Sequence, residues 1–220
     1  MSGLKKKLLQ LLFPPKCPFC RKILSGGEEL MCAQCAEKLP YTDKKADAGS
    51  NFYSRCVSSL YYTAAVRKAM LAFKFYGRAS YAACFGRLMA DSITKKTEGS
   101  FDALTWVPLS RSRLRKRGYS QARLLAEAVG KELGYVPERL LDKPGNIRAQ
   151  SKIHDSSQRR ANVAGAYKTH PGAELTGKRI LLIDDIVTTG ATLAECAKIM
   201  LLAGADEVVC AVLCRGKKLR

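Results

Sequence analysis

The sequence predicts an α/β fold, a parallel sheet flanked by helices, with a small zinc-ribbon module ahead of it. Three observations lead there. Strand-length apolar runs alternate with helical patterns through the second half of the chain. Those runs are apolar at successive positions, as in strands buried on both faces by crossover helices. Four of the nine cysteines fall within residues 17–35 as two Cys-x2-Cys pairs.

Taken in order, the chain opens with MSGLKKKLLQLLFPPKC, which has the basic start of a signal peptide but not its end. The apolar run is interrupted by Gln10 and closes in Pro14, Pro15 and Lys16 rather than small residues. A short amphipathic helix in a cytoplasmic protein is the expectation. No apolar stretch approaches the roughly 18 residues needed to cross a bilayer, so no membrane span is expected.

Cys17 and Cys20 (CPFC) are followed, after eleven residues, by Cys32 and Cys35 (CAQC). Two such pairs deliver four thiolates to one tetrahedral Zn2+ at about 2.3 Å each, a structural site with no open position. The competing reading, a redox dithiol, ordinarily has one Cys-x2-Cys beside a βαβ unit. A module this small buries too little core to fold without such a staple. The polar stretch YTDKKADAGSN reads as a linker, dividing the chain into 1–45 and 46–220. Cys56, Cys84, Cys196, Cys210 and Cys214 sit among apolar neighbours and read as core residues. His154 and His170 are assigned no role.

Beyond the linker, RCVSSLYY (55–62) has strand composition, whereas AAVRKAMLAFKF and ASYAACFGRLMADSI have helical spacing. Next come ALTWVPL as a strand, YSQARLLAEAVGKELG as a helix closed by Gly134, RLL as a short strand, and a long polar segment from Asn146. KRILLID then reads as a buried strand, ATLAECAKIMLLAG as a helix ending near Gly204, and DEVVCAVLCR as the last strand.

The 38 Lys and Arg against 19 Asp and Glu give a formal charge of +19. It is spread along the chain, with the densest run at Arg111, Arg113, Arg115, Lys116 and Arg117. An anionic partner for that run is one reading, a solvated face the other.

The stretch ILLIDDIVTTGATL carries the chemistry. A buried strand delivers Asp184 and Asp185 to its carboxyl end, where ligands bind in open α/β sheets. Thr188, Thr189, Gly190, Ala191 and Thr192 then form a turn into a helix N-terminus, a setting that suits a phosphate dianion. Two carboxylates repel that phosphate and instead suit sugar hydroxyls or a bridging divalent cation. A ribose-phosphate site is expected.

The apolar run, paired acids and TTGAT resemble the phosphoribosyl pyrophosphate signature of type I phosphoribosyltransferases. The wider order of motifs resembles the ComF/GntX family of competence-associated proteins: a cysteine ribbon after FPP, KFYGR, VPLSRSRLRKRGYSQA, AQS before QRRANVAGAY, and IDDIVTTGAT. The resemblance runs from about residue 10 to the end and implies a type I phosphoribosyltransferase-like sheet. It implies that Asp184 and Asp185 hold ribose hydroxyls and that Thr188 to Thr192 cradle the 5-phosphate. Val107 and Pro108, with the segment through Arg111, Arg113, Arg115, Lys116 and Arg117, match the pyrophosphate loop. Gln158, Arg159 and Arg160 match the loop that closes over the reaction. The implied chemistry is displacement of pyrophosphate from phosphoribosyl pyrophosphate by a nitrogen nucleophile, with Mg2+ on the donor.

The acceptor is not legible. With only residues 215–220 after the last strand, an acceptor hood is expected from about residues 50–100. Partners implied are phosphoribosyl pyrophosphate and proteins of DNA uptake. The alternative function is a non-catalytic accessory protein that binds single-stranded DNA, with Phe73, Phe75, Tyr76 and Tyr119 as stacking surfaces among the cations. A degenerate scaffold is the third reading.

Overall fold

The computed structural model describes residues 14–25, 27–144 and 165–216. The amphipathic segment at residues 1–13 and the polar segment 145–164 lie outside these.

Strong β-formers with no interior proline make four parallel strands: β1 (Arg55–Tyr61), β2 (Ala103–Trp106), and two strands near the C-terminus, Arg179–Val187 and Glu207–Arg215. A two-stranded antiparallel pair separates β2 from the last two, with β3 (Leu141–Asp142) on β4 (Lys168–Thr169). Arg179–Val187 is therefore β5 and Glu207–Arg215 is β6. The main sheet has the order β1-β6-β5-β2, every pair parallel. The RLL segment expected as a strand of that sheet instead contributes Leu141 to the small antiparallel pair.

Among the described residues the α-helices are α1 (Ala33–Lys38), α2 (Ala64–Phe75), α3 (Tyr81–Lys96), α4 (Arg111–Arg117), α5 (Gln121–Leu133) and α6 (Ala191–Leu202). Ser110 and Ser120 accept the first-turn N–H groups of Arg113 and Arg123, and Gly118 and Gly134 close α4 and α5 in the left-handed conformation. The basic run read as part of a loop is thus helix α4.

Period-two alternation along β5 sorts the core. Leu181 and Ile183 face α2, α3 and α5, together with Phe73, Phe85 and Leu125. Ile180 and Leu182 face α6 and the β3–β4 pair, together with Leu141, Tyr167, Leu193 and Cys196. The crossing of α3 over α5 is close: a Cβ on Gly86 would lie 2.3 Å from the Ala128 Cβ.

The expected linker is ordered and runs along the free edge of β1. Tyr41 bridges Leu60, Ala48 bridges Cys56, and Thr42 N–H donates to the Ser59 carbonyl. Such pairing blunts an open sheet edge. Lys96 fixes it from beneath, donating to Thr42 Oγ1 (2.8 Å) and the Ser58 carbonyl (2.9 Å), with Asp47 Oδ2 at 3.5 Å.

The stretch 50–100 does not form a separate hood. β1 is an edge strand of the core sheet and α3 packs on α5. Tyr53, near Gly190, and the C-terminal end of α2 reach the carboxyl end of β5.

Candidate functional site

The N-terminal cysteines converge. The Sγ atoms of Cys17, Cys20, Cys32 and Cys35 all lie within 4.8 Å of one another, and those of Cys20 and Cys32 are 3.6 Å apart. A tetrahedral zinc thiolate site has edges of about 3.8 Å, so the donor set fits a structural Zn2+. The local fold explains the convergence. Lys16 bridges Ile23, Cys17 N–H donates to the Lys22 carbonyl, and Arg21 takes a left-handed φ of 67° to turn the chain back. Glu28 caps the second pair, accepting from Ala33 N–H at 2.9 Å. Burial opposes ionisation of Cys17, but backbone donors from Cys20, Cys32 and Phe19 outweigh it and bring the thiol down to about 7. In the same cluster the thiols of Cys20 and Cys35 are held above their usual range, so it is a bound cation that would favour the four as thiolates.

The second site lies at the carboxyl end of β5. A cleft of about 220 Å³ is lined by Asp184, Asp185, Val107, Pro108, Arg113, Arg117 and Thr192, and also by Lys74, Gln121, Lys143 and Tyr167. Because Leu181 and Ile183 face one side of the sheet and Ile180 and Leu182 the other, alternation sends Asp185 toward α2 and Asp184 toward α6 and the β3–β4 pair. Asp185 meets Lys74, Nζ to Oδ1 2.8 Å. Asp184 Oδ1 accepts the Asp185 N–H at 2.8 Å. Burial and the Asp185 charge push Asp184 up to about 7, against the pull of Lys74 and Lys143.

Gly190, at φ 77°, is the N-cap of α6, so no side chain caps that helix from the N-cap position. Thr188 and Thr189 are exposed, and Thr189 Oγ1 lies 3.4 Å from Ala191 N. Of this turn Thr192 lines the cleft, while Thr188, Thr189, Gly190 and Ala191 are not among its lining residues.

On the opposite wall, Val107 and Pro108 end β2 and lead into α4. Spacing i, i+4 places Arg113 and Arg117 on the cleft side of that helix. Arg111, Arg115 and Lys116 are exposed and are not among the cleft-lining residues. Arg117 donates to Gln121 Oε1 at 2.9 Å and stacks over the Phe75 ring at 5.0 Å. That bond fixes the amide orientation and leaves Gln121 Nε2 buried with no hydrogen-bond partner among the described residues. Burial, and then the charge of Arg113, pull Lys143 below the usual lysine range, while its Nζ donates to Tyr167 OH at 2.9 Å.

Sequence reading missed Lys143, Tyr167 and Gln121, since no local motif marks a lone residue brought in by a distant element. Lys74 was visible within KFYGR but without a role. Gln158, Arg159 and Arg160 lie outside the described residues. Of the four aromatics considered for stacking, Phe73 is core, edge-on to Phe85, and half-buried Tyr119 donates its hydroxyl to the Phe73 carbonyl. Phe75 and Tyr76 are 53% and 73% exposed.

Comparison with known proteins agrees with this architecture. A double zinc ribbon domain model matches residues 8–46, and a phosphoribosyl transferase domain model matches residues 114–220. The DNA utilization protein YhgH of Salmonella typhi is 28% identical over 205 residues, covering 90% of this chain and 83% of that protein. Competence protein ComFC of Bacillus subtilis is 29% identical over 188 residues, 86% of this chain and 72% of the relative. ComFC of Streptococcus pneumoniae is 32% identical over 147 residues, 67% and 62% respectively. Among solved structures, the glutamine phosphoribosylpyrophosphate amidotransferase of B. subtilis aligns with a TM-score of 0.44 at 19% identity, over 64% of this chain and 30% of that one. A purine phosphoribosyltransferase from Pyrococcus horikoshii aligns at 0.39 and 17%, over 61% and 81%.

The parallel sheet, its flanking helices and the two matched domains define a type I phosphoribosyltransferase-like protein with an N-terminal zinc ribbon. With relatives of both names spanning most of its length, the chain is a ComF-like protein.

Proposed function

We propose that this chain binds phosphoribosyl pyrophosphate, with Mg2+ carried on the donor, in the cleft at the carboxyl end of β5. The cleft serves DNA uptake or handling in the cytoplasm, alongside proteins of natural competence. The observation that carries the reading is the meeting, in one cleft, of Asp184 and Asp185, Arg113 and Arg117, and the end of the TTGAT turn at Thr192. Carboxylates suit ribose hydroxyls, guanidinium groups suit a diphosphate, and the α6 N-terminus suits a 5-phosphate. The ribbon over residues 1–45 holds Zn2+ as a structural ion and supports the domain over 46–220. Transfer of the ribose phosphate to a nitrogen acceptor would need no protein nucleophile. Asp184 would orient the sugar while the guanidinium wall takes up charge on the departing pyrophosphate.

Titration calorimetry of the zinc-loaded chain tests this. Saturable binding of phosphoribosyl pyrophosphate in Mg2+, weakened at least tenfold by Asp184→Asn, is expected. A wild-type chain that takes up no donor ends the reading.

A second reading, single-stranded DNA binding, is favoured by one feature. Exposed Phe75 carries the Arg117 guanidinium over its ring at 5.0 Å, exposed Tyr76 follows it, and Arg111, Arg115 and Lys116 are exposed elsewhere on α4. Stacking beside cations suits an unpaired strand. Oligonucleotide affinity should then fall steeply with salt and drop on Phe75→Ala with Tyr76→Ala. A flat, weak salt response removes it.

A further inference from the structure

The acidic pair does not have the geometry of a resident divalent-cation site. A Mg2+ ion needs near-octahedral oxygen ligands at about 2.1 Å. Asp185 and Asp184 leave β5 on opposite faces, and Asp185 Oδ1 already holds the Lys74 ammonium at 2.8 Å. A divalent ion on that oxygen would sit within a few ångströms of a like charge. Both partners are largely shielded, at 17% and 11% side-chain exposure, so solvent screens the repulsion poorly. Among the described residues, Asp184 and Asp185 are the only carboxylates lining the cleft.

Lys74 is also held in place. It occupies the last turn of α2, directly after Phe73, which is fully buried, packs edge-on to Phe85 at 5.4 Å and accepts the Tyr119 hydroxyl on its carbonyl. The lysine stem therefore starts from a fixed point, and its ammonium ends in the cleft that also holds Lys143, Arg113 and Arg117.

We propose that Lys74 is the cleft's own tethered cation. Paired to Asp185, it does at the acidic pair what a bound metal would do: it fixes that carboxylate and offers positive charge to an anionic ligand. Asp185 is the positioning residue for Lys74, and Asp184 alone is left for ligand hydroxyls. A divalent ion then enters only as a chelate of a diphosphate ligand, never on the empty protein. This deepens the donor-site reading above and rests on it for the nature of the ligand.

The test has two arms, both on the full-length, zinc-loaded chain. In the first, Mn2+ alone is titrated and followed by electron paramagnetic resonance. Wild type is expected to take up no Mn2+ beyond weak surface binding. Lys74→Gln, which frees Asp185, should bind it at least ten times more tightly, and adding Asp185→Asn should abolish the gain. Mn2+ binding by wild type that is lost in Asp185→Asn would overturn the proposal. In the second arm, phosphoribosyl pyrophosphate is titrated across a range of Mg2+ concentrations. Lys74→Gln should weaken binding at least tenfold at low Mg2+, with recovery as Mg2+ rises, while Lys74→Arg stays near wild type. A Lys74→Gln curve superimposable on wild type at every Mg2+ concentration would equally overturn it. If wild type binds no donor, the ligand reading falls, and the Mn2+ arm still decides whether the acidic pair is a metal site. The charge-free pair Lys74→Gln with Asp185→Asn, checked by thermal melting, separates loss of fold from loss of cation.

Discussion

Phe19, between the first two cysteines of the ribbon, lies with its ring centroid 5.9 Å from that of Phe85 on α3. Phe85 is fully buried and also contacts Phe73, the neighbour of Lys74. The ribbon therefore shares a hydrophobic core with the phosphoribosyltransferase-like domain: Cys17, Phe19, Leu24, Cys32 and Leu39 all belong to the cluster formed by α2, α3 and α5.

Removal of the metal should consequently be felt in the main domain. Cys20→Ser, or chelation of wild type, should lower the melting temperature and expose apolar surface to a hydrophobic dye, with one Zn2+ lost per chain by metal analysis. Phe19→Ala should keep the metal and still destabilise by about 3 kcal/mol, the usual cost of deleting a buried phenylalanine ring. A melting curve unchanged by chelation would show that the ribbon is not part of the cooperative unit.

Lys96 is the second strut. Its ammonium is buried with Asp47, whose side chain is only 1% exposed. Burial pulls the lysine below its usual range while Asp47 opposes the shift. Lys96→Met removes the cation and strands the carboxylate, at a cost of roughly 3 kcal/mol by analogy with broken buried ion pairs. Lys96→Met combined with Asp47→Asn should recover part of the loss in urea unfolding. An additive double mutant would argue against the pairing.

Gly86 tests the helix crossing. A side chain there meets the Ala128 backbone carbonyl carbon at 3.0 Å as well as its Cβ, and backbone cannot rotate away. Gly86→Val should lower the urea midpoint by an amount equivalent to about 2 kcal/mol or more, as overpacking does. Ala128→Gly in the same chain should relieve part of it.

The legibility of this chain in its sequence divides along a physical line. β5 and α6 were readable because their information is local: an apolar run, two acids, a turn, a helical period. The cysteine pairs were readable because metal geometry fixes spacing. The linker misled because polarity marks both solvated chain and a strand-edge cover, and Lys96, which decides between them, lies about fifty residues away. For the basic run the sequence leaves a ligand-facing loop and a solvated face both open; the run is a helix, which divides its cations between two faces, and of the five only Arg113 and Arg117 line the cleft. Gln121 and Lys143 had no sequence signal at all, since their meaning comes only from the cleft that distant elements assemble.

The titration of Asp184 gives the sharpest pH test of the site. Burial and the charge of Asp185, against the pull of Lys74 and Lys143, raise it from the ordinary 3.8 to about 7. An acid whose folded pKa lies above its unfolded one is held more tightly protonated in the native state, so the native state binds the extra proton between those two values. Stability therefore falls as pH rises from about 4 to about 7 and stays at the lower level above that window. Asp184→Asn mimics the protonated form and should remove this slope. The variant should melt above wild type at pH 8, and the gap should close as pH falls toward 4, where both carry a neutral group. Thermal melting of the two proteins in matched buffers of constant ionic strength reads this directly. A gap that is constant across pH 4 to 8 would place the effect in packing rather than in the charge of Asp184.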